Sequence, residues 1–223
     1  VTTMPDDLRV LQPGALLLAQ SEECAVWQFR NESGDGTMTI YSVFPGMALN
    51  YNDFHMEYFD SGFVPGTELL AIDHCREGRM EYAAGENTVS YMGAGDMKLD
   101  RRRRHTGRFV FPTGHYHGLT VALELAAARR ALQTGLKDFR IDVDRILEKV
   151  ALGEYPRVIH RAAVMERVFS EMYQVPQTIR LPYPASAKNC LYDSSVNSRL
   201  KSAPARPMAF DRPLVEPLSV RFM

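Results

Sequence analysis

Two histidines carry the sharpest chemical signal in this sequence. His115 and His117 lie two residues apart in a stretch that favours strand, so their side chains project from the same face. Two imidazoles on one face can bind one metal ion, provided that a carboxylate or a further histidine joins them. The pair is therefore a candidate metal site if the sequence supplies further ligands.

The further ligands that such a site needs do not stand near the pair. The next acidic residue, Glu124, has the opposite strand parity and is expected to face away. Three other histidines would reach the pair only through the fold: His55, His74 and His105. We expect polar histidines at the barrel lining or strand ends, with no bound metal and no cofactor; if a metal does bind, His115 and His117 are its predicted ligands.

A basic run is the second candidate site. Residues 101–104 are four consecutive arginines, followed by His105, and such a run can hold a phosphate or an acidic partner. The run lies between Asp100 and Gly107 and has no interleaved aromatic residue on which a base could stack. We predict a solvated loop between two strands rather than a nucleic-acid site.

Other signatures of catalysis are missing from the sequence. It contains neither a Gly-x-Ser-x-Gly elbow nor a Gly-x-x-x-x-Gly-Lys phosphate loop, and residues 93–95 predict a turn between strands. The three cysteines, Cys24, Cys75 and Cys190, have no close pairing and predict reduced thiols. The sequence therefore predicts that the chain is not an enzyme.

Composition and charge exclude several classes of protein. The 223 residues are 45% hydrophobic and 24% charged, as in globular proteins, and the net charge of −1 provides no general attraction for nucleic acid or anionic membrane. No apolar run approaches the roughly 18 residues that cross a bilayer, and the first ten residues do not resemble a signal peptide. We expect a cytoplasmic protein without membrane contact.

Short β-favouring runs alternate with turn residues up to Leu125. The predicted strands are residues 24–30, 37–44, 68–75, 79–83 and 88–92, and the predicted turns include residues 33–36, Pro45-Gly46, Glu77-Gly78 and residues 85–87. Regularly spaced turns between short strands are typical of an all-β sandwich or barrel. Alternation within residues 68–75 leaves open whether Leu70, Ile72 and His74 or their neighbours face the interior.

Helical periodicity replaces this pattern after Leu125. The predicted helices are residues 126–134, 142–151 and 162–173, and each must bury its apolar stripe against the β layer or against a second subunit. From Pro184 onward both periods are lost, and five of the thirteen prolines fall in the last 40 residues. We expect this tail to be irregular.

A series of short motifs resembles the N-terminal half of AraC-type bacterial transcriptional regulators. These motifs are Val43-Phe44-Pro45-Gly46, residues 51–55, residues 68–79, residues 91–96, Phe111-Pro112, residues 115–118, Val175-Pro176 and residues 179–183. Their order and spacing carry the resemblance over residues 20–183, since each motif alone is weak. The resemblance implies a cupin-like β-barrel that senses a small effector, followed by helices that dimerise.

Members of that family normally end in two helix-turn-helix units that bind DNA, and this sequence departs from them at Pro184. Forty residues with five prolines do not provide four helices of about 11 residues. An expressed fragment, a natural truncation and a frameshift after Tyr183 all explain the departure. Contact with DNA is therefore expected only through a half that this sequence lacks.

We thus predict an α+β fold, a cupin-like antiparallel β-barrel followed by a small helical dimerisation segment. Its expected parts are an N-terminal arm (1–23), an effector-binding barrel (24–125), the helical segment (126–183) and an irregular tail (184–223). The expected function is effector sensing and homodimerisation for an AraC-type regulator. Four residues are candidates for the effector pocket: Trp27, His74, Tyr82 and His117. The alternative is a small metal-dependent cupin enzyme, an isomerase or dioxygenase, with the His115/His117 pair at its centre.

Overall fold

The computed structural model describes residues 14–61, 68–85, 88–103, 107–134, 142–150, 153, 155–161 and 163–178. The strands are β1 (Ala15–Gln20), β2 (Cys24–Asn31), β3 (Gly34–Phe44), β4 (Met47–His55), β5 (Tyr58–Asp60), β6 (Leu69–Ala83), β7 (Val89–Gly93), β8 (Met97–Asp100), β9 (Arg108–Val110), β10 (Tyr116–Glu124) and β11 (Arg157–Ile159). The helices are α1 (Leu125–Thr134), α2 (Val143–Val150) and α3 (Ala163–Thr178). Strands followed by helices confirm the predicted α+β class.

The strands form a curled antiparallel sheet in the order β1-β2-β3-β4-β10-β6-β8-β11, to which β5, β7 and β9 add a second layer. The long strand β6 belongs to both layers, because its first half pairs with β10 and β8 and its second half pairs with β7 and β9. Both layers therefore curl around one interior.

Strand β6 corrects the turn predicted at Glu77-Gly78. The strand continues through these residues, and the pairing with β10 shifts so that His117 faces Glu77 while Gly118 faces Cys75. This bulge leaves Arg76 as an extra residue, and Gly78 has a φ of +83°, which favours glycine. Gly78, which the sequence pattern assigned to a turn, lies instead within a bent strand.

The sheet also extends beyond the predicted barrel limits. Strand β1 lies within the stretch predicted as an arm (1–23) and pairs with β2, while β11 lies within the predicted helical segment (126–183) and pairs with β8. Residues 1–13 and the predicted tail (184–223) lie outside the described residues. Among the described helices, none has the length and apolar character to cross a membrane.

Acidic side chains cap the first two helices. The Glu124 carboxylate accepts hydrogen bonds from the backbone N–H groups of Ala126 (2.9 Å) and Ala127 (2.7 Å). Asp142 accepts one from the N–H of Arg145 at 3.0 Å. These bonds satisfy backbone donors that the first helical turn leaves unpaired. Glu124 is therefore the N-cap of α1. This role agrees with the expectation from strand parity that Glu124 does not join the predicted metal ligands.

The helices bury their apolar stripes on the outer face of the sheet. Leu125 and Leu132 of α1 and Val143 of α2 pack with Leu70 of β6 in one apolar cluster. On α3, the Phe169 ring stacks on His74 with centroids 4.1 Å apart. The sheet of the same chain thus covers part of these stripes, while Ile146 and Val168 stay exposed.

Candidate functional site

A cavity of about 110 Å³ lies inside the barrel. A water molecule needs about 10–15 Å³ on this measure, so the cavity has room for a small organic molecule. The lining residues are Trp27, Phe29, Met38, Ile40, Asn50, Asn52, Phe54, Phe59, Ser61, Leu69, Ala71, Asp73, Met80, Arg102, Phe109, Phe111, Tyr116, Thr120 and Ala122. Apolar walls with a few polar groups are typical of ligand pockets.

Strand alternation directs these side chains inward. Asn50, Asn52 and Phe54 are alternate residues of β4, and all three line the cavity. On β6, Asp73 lines the cavity and His74 packs against α3. The interior face of β6 is therefore the one that carries Leu69, Ala71 and Asp73.

Seven of the lining side chains are aromatic, and several of them stack. The rings of Phe54 and Phe111 are 5.5 Å apart with an interplanar angle of 14°, and Phe111 and Tyr116 are 5.4 Å apart with an angle of 6°. These stacked rings line one part of the cavity. An aromatic or otherwise apolar ligand suits such a lining.

A buried charge cluster closes the other side of the cavity. The Asp73 carboxylate lies 3.2 Å from Lys98 Nζ and 3.1 Å from a guanidinium nitrogen of Arg102, and it accepts a hydrogen bond from Thr120 Oγ1 at 2.7 Å. Burial raises the pKa of Asp73, but the charges of Lys98 and Arg102 lower it more, so the net pKa lies below its ordinary value. Asp73 is therefore an anion inside the barrel.

Arg102 corrects the expectation of a solvated basic loop. Its side chain is only 12% exposed, and its φ of 51° places it in the left-handed region. Its backbone N–H donates to Asp100 Oδ1 at 2.7 Å, and Tyr82 donates to the same carboxylate. Two buried carboxylates attract this arginine inward, so the run is a loop with one residue in the core. Arg104 and His105 lie outside the described residues.

Three polar atoms of lining residues have no hydrogen-bond partner. They are Oδ1 of Asn50, the hydroxyl of Tyr116 and Nε of Arg102, and Asn50 and Tyr116 are 6% and 2% exposed. A buried polar group without a partner costs about 1–3 kcal/mol. Such groups are available to a ligand that supplies the missing hydrogen bonds.

The four predicted pocket residues lie in different places. Trp27 lines the cavity. Tyr82 is buried beside it and carries Lys98 Nζ 4.2 Å above its ring. His74 and His117 lie on the outer face of the sheet, where the Tyr173 hydroxyl is 3.1 Å from His74 Nδ1. Burial lowers the pKa of His74. Their role as effector contacts stays a prediction.

The structure packs the two predicted metal ligands edge to face, with ring centroids 5.9 Å apart, but gives them different polar partners. His115 Nδ1 lies 3.2 Å from the carbonyl oxygen of Thr113, while His117 faces Asp53 and His55 of β4. Asp53, His55 and His117 are the one group among the described residues whose donor atoms lie close enough to share a metal ion. The sequence reasoning missed Asp53, although Asp53 and His55 have the same two-residue spacing as His115 and His117.

Charge stabilises the Asp53 carboxylate in this group. Burial raises the pKa of Asp53, but the neighbouring imidazoles of His117 and His55 lower it more, so the net pKa lies well below the usual range. Asp53 in turn raises the pKa of His55. The group therefore holds its carboxylate ionised at neutral pH.

Among the comparisons with known proteins, the search of solved structures found similar chains. No protein-family model matches the chain, and no curated protein matches it. A cupin 2 conserved barrel domain protein from Rhodopseudomonas palustris is similar over 73% of this chain and 98% of its own, with 13% identity and a TM-score of 0.33. A variant of Bacillus subtilis oxalate decarboxylase is similar over 78% of this chain and 47% of its own, with 9% identity and a TM-score of 0.33.

A third similar structure is an HTH_3 family transcriptional regulator from Vibrio cholerae. It covers 39% of this chain and 50% of its own, with 14% identity and a TM-score of 0.29. The chain thus spans about half the length of the decarboxylase and of this regulator.

These structures correct one expectation from the sequence, namely that the chain is not an enzyme. The similar structures include oxalate decarboxylase, an enzyme, although at 9–10% identity. The shared fold does not establish catalysis either. The chain folds as a curled antiparallel sheet with short helices, and its function has to be argued from its own site.

Proposed function

We propose that this chain binds a small molecule in the barrel cavity, as the sensor half of an AraC-type transcriptional regulator. The observation that carries the proposal is that Asn50 and Tyr116 present buried, unpartnered oxygen atoms in a cavity whose lining is largely aromatic and aliphatic. The motifs that resemble AraC-type regulators supply the regulatory context. The signal would pass to DNA through the helix-turn-helix half of that family.

The lining narrows the chemical class of the ligand. The stacked rings of Phe54, Phe111 and Tyr116 favour a flat aromatic or conjugated body. Asn50 Oδ1 accepts a hydrogen bond, so the ligand needs an O–H or N–H donor on the edge that faces β4. A small phenol or a nitrogen heterocycle combines both properties.

Strand β4 provides a route from the cavity to the helices. Asn50 and Asn52 face the cavity, while Tyr51 between them faces outward and donates a hydrogen bond to the carbonyl of Met172 on α3 at 2.7 Å. A ligand that shifts β4 would therefore move Tyr51, which is hydrogen-bonded to α3. Signalling requires that the ligand binds one arrangement of β4 and α3 more tightly than another.

The alternative from the sequence, a small metal-dependent enzyme, would need metal ligands beside the cavity. Within the described residues, the one group with suitable spacing is Asp53, His55 and His117, on the opposite face of the sheet. The geometry therefore favours ligand binding in the cavity over metal chemistry there.

Tryptophan fluorescence tests the proposal, because the single tryptophan, Trp27, lines the cavity. Untagged protein is titrated with p-cresol, indole and benzoate. Binding of p-cresol and benzoate is followed by tryptophan emission, and binding of indole is followed by calorimetry. We expect saturable binding of at least one probe. Ala122→Leu places a larger side chain in the cavity and should abolish this binding, whereas Ala126→Leu, on the exposed surface of α1, should leave it unchanged. Absence of binding by all three probes, or equal binding by Ala122→Leu, would contradict the proposal.

A further inference from the structure

Three side chains converge on the outer face of the sheet, on the side away from the cavity. We call Asp53, His55 and His117 the outer-face cluster. Oδ1 of Asp53 lies 3.0 Å from Nε2 of His55 and 3.0 Å from Nε2 of His117. Asp53 and His117 are paired residues on adjacent strands, and His55 follows Asp53 by two residues on β4. The sheet therefore holds all three donors in fixed register.

The alignment of these contacts is poor for hydrogen bonds. Oδ1 of Asp53 and Nε2 of His117 are both inaccessible to solvent, and neither has an aligned hydrogen-bond partner. Two such atoms in contact are unfavourable unless a proton or a metal cation lies between them. The arrangement is thus incomplete without a further group.

Glu77 supplies the support that a metal-binding histidine usually has. One of its carboxylate oxygens lies 3.8 Å from Nδ1 of His117, on the ring edge opposite Asp53. A carboxylate beside one ring nitrogen favours a proton on that nitrogen and leaves the other free to bind a metal. Glu77 therefore directs the Nε2 lone pair of His117 toward Asp53.

We propose that the outer-face cluster binds one divalent transition-metal ion through Nε2 of His55, Nε2 of His117 and a carboxylate oxygen of Asp53. Metal bonds to these donors are about 2.1 Å long, so two donors at a right angle are about 3.0 Å apart. That is the separation of Asp53 Oδ1 from each imidazole. Two histidines and one carboxylate on one face of an octahedron leave three positions for water or another ligand.

The site is independent of the cavity ligand. The side chains of His55 and Asp53 are 40% and 46% exposed, so the outer-face cluster lies at the protein surface. Alternate residues of β4 face the cavity instead, and the backbone of the sheet separates the two sites. Binding at either site can therefore be measured without the other.

Cobalt(II) provides the direct test. Untagged, metal-free protein is titrated with Co²⁺ and followed by visible absorption and calorimetry. We expect one Co²⁺ per chain, with a ligand-field spectrum that reports nitrogen ligands. His55→Gln or His117→Gln should weaken binding at least about 100-fold, and Glu77→Gln about 10- to 100-fold, since even outer-shell partners of a ligand have effects of that size.

His115→Gln is the matched control, because the His115 ring packs against His117 but His115 does not belong to the group whose donor atoms could share a metal ion. It should bind Co²⁺ as the unsubstituted chain does. Circular dichroism of each variant distinguishes loss of a metal-binding side chain from loss of the fold. If a histidine variant does not fold, Asp53→Asn is tested in its place and should also weaken Co²⁺ binding. A Kd for Co²⁺ weaker than about 1 mM, which corresponds to a binding free energy of about −4.1 kcal/mol, would overturn the proposal. Equal losses in His115→Gln and His117→Gln would overturn it as well.

Discussion

The carboxylate of Asp73 and the ammonium of Lys98 lie 3.2 Å apart inside the barrel, and their side chains are only 2% and 1% exposed. Charges in such a place are costly unless they are paired and hydrogen-bonded. Arg102 and Thr120 complete the coordination of the carboxylate. This buried ion pair therefore joins β6 to β8, and its carboxylate lines the cavity.

Removing the Asp73 charge should destabilise the barrel strongly. Asp73→Asn leaves Lys98 buried without its counter-charge, and breaking a buried pair in this way costs about 3–5 kcal/mol. Urea denaturation, followed by circular dichroism, measures the change in the free energy of unfolding. The surface pair Arg108–Asp60, whose side chains are 55% and 45% exposed, is the control. Asp60→Asn should cost less than about 1 kcal/mol, and equal costs at both sites would contradict the prediction.

Stability should fall in acid partly through Asp73. The folded pKa of this carboxyl lies below its ordinary value, so its contribution is fully present above about pH 4, the unfolded pKa of aspartate. It is lost as the pH falls through the lower folded pKa. Urea denaturation between about pH 5 and pH 2 should show a smaller acid-induced loss for Asp73→Asn than for the unsubstituted chain. Parallel curves would show that other carboxyl groups cause the whole effect.

The Tyr116 hydroxyl should strengthen ligand binding and destabilise the ligand-free protein. Tyr116→Phe removes a buried group that has no partner, so the free energy of unfolding should rise by about 1 kcal/mol. Affinity for whichever probe binds the cavity should fall about tenfold, the equivalent of one hydrogen bond. Tyr91→Phe, at a position 49% exposed, should change neither quantity. A destabilised Tyr116→Phe protein would indicate that the hydroxyl has a structural partner.

Cys75 should be chemically inert while the protein is folded. The thiol is fully buried, and burial together with the charges of Asp96 and Glu77 raises its pKa to about 12. Thiolates are the reactive form, so almost none is present at pH 8. In Cys190→Ser protein, iodoacetamide should label neither Cys24 nor Cys75 until urea is added, as mass spectrometry would detect. Rapid labelling of Cys75 in the native state would contradict its burial.

Dimerisation remains a prediction from the resemblance to AraC-type regulators. Light scattering should give about 50 kDa, twice the chain mass of 25.2 kDa. Val168 of α3 is 49% exposed and is an apolar position that a second copy would cover. Val168→Asp should then shift the protein to the monomer, whereas Glu171→Gln on the exposed surface of the same helix should not. A monomer at high concentration before any substitution would remove the prediction.

Local patterns in the sequence determined the elements themselves. Apolar alternation and turn residues predicted most of the strands between Cys24 and Leu125, and helical periodicity predicted α1, α2 and α3 close to their observed bounds. These features depend on contacts between residues that are near in sequence. The N-cap of α1 illustrates the same point, because Glu124 lies two and three residues from its partners.

Tertiary structure alone decided which residues meet. Alternation in β6 divided Asp73 from His74 but did not show that Asp73 faces the cavity, because that depends on which face the helices cover. Pairing of β4 with β10 brings Asp53 to His117 across 64 residues of sequence, and strand β6 continues through the predicted turn with a bulge at Arg76. Strand partners, strand bends and the inward path of Arg102 depend on long-range burial and charge, which local sequence patterns do not record.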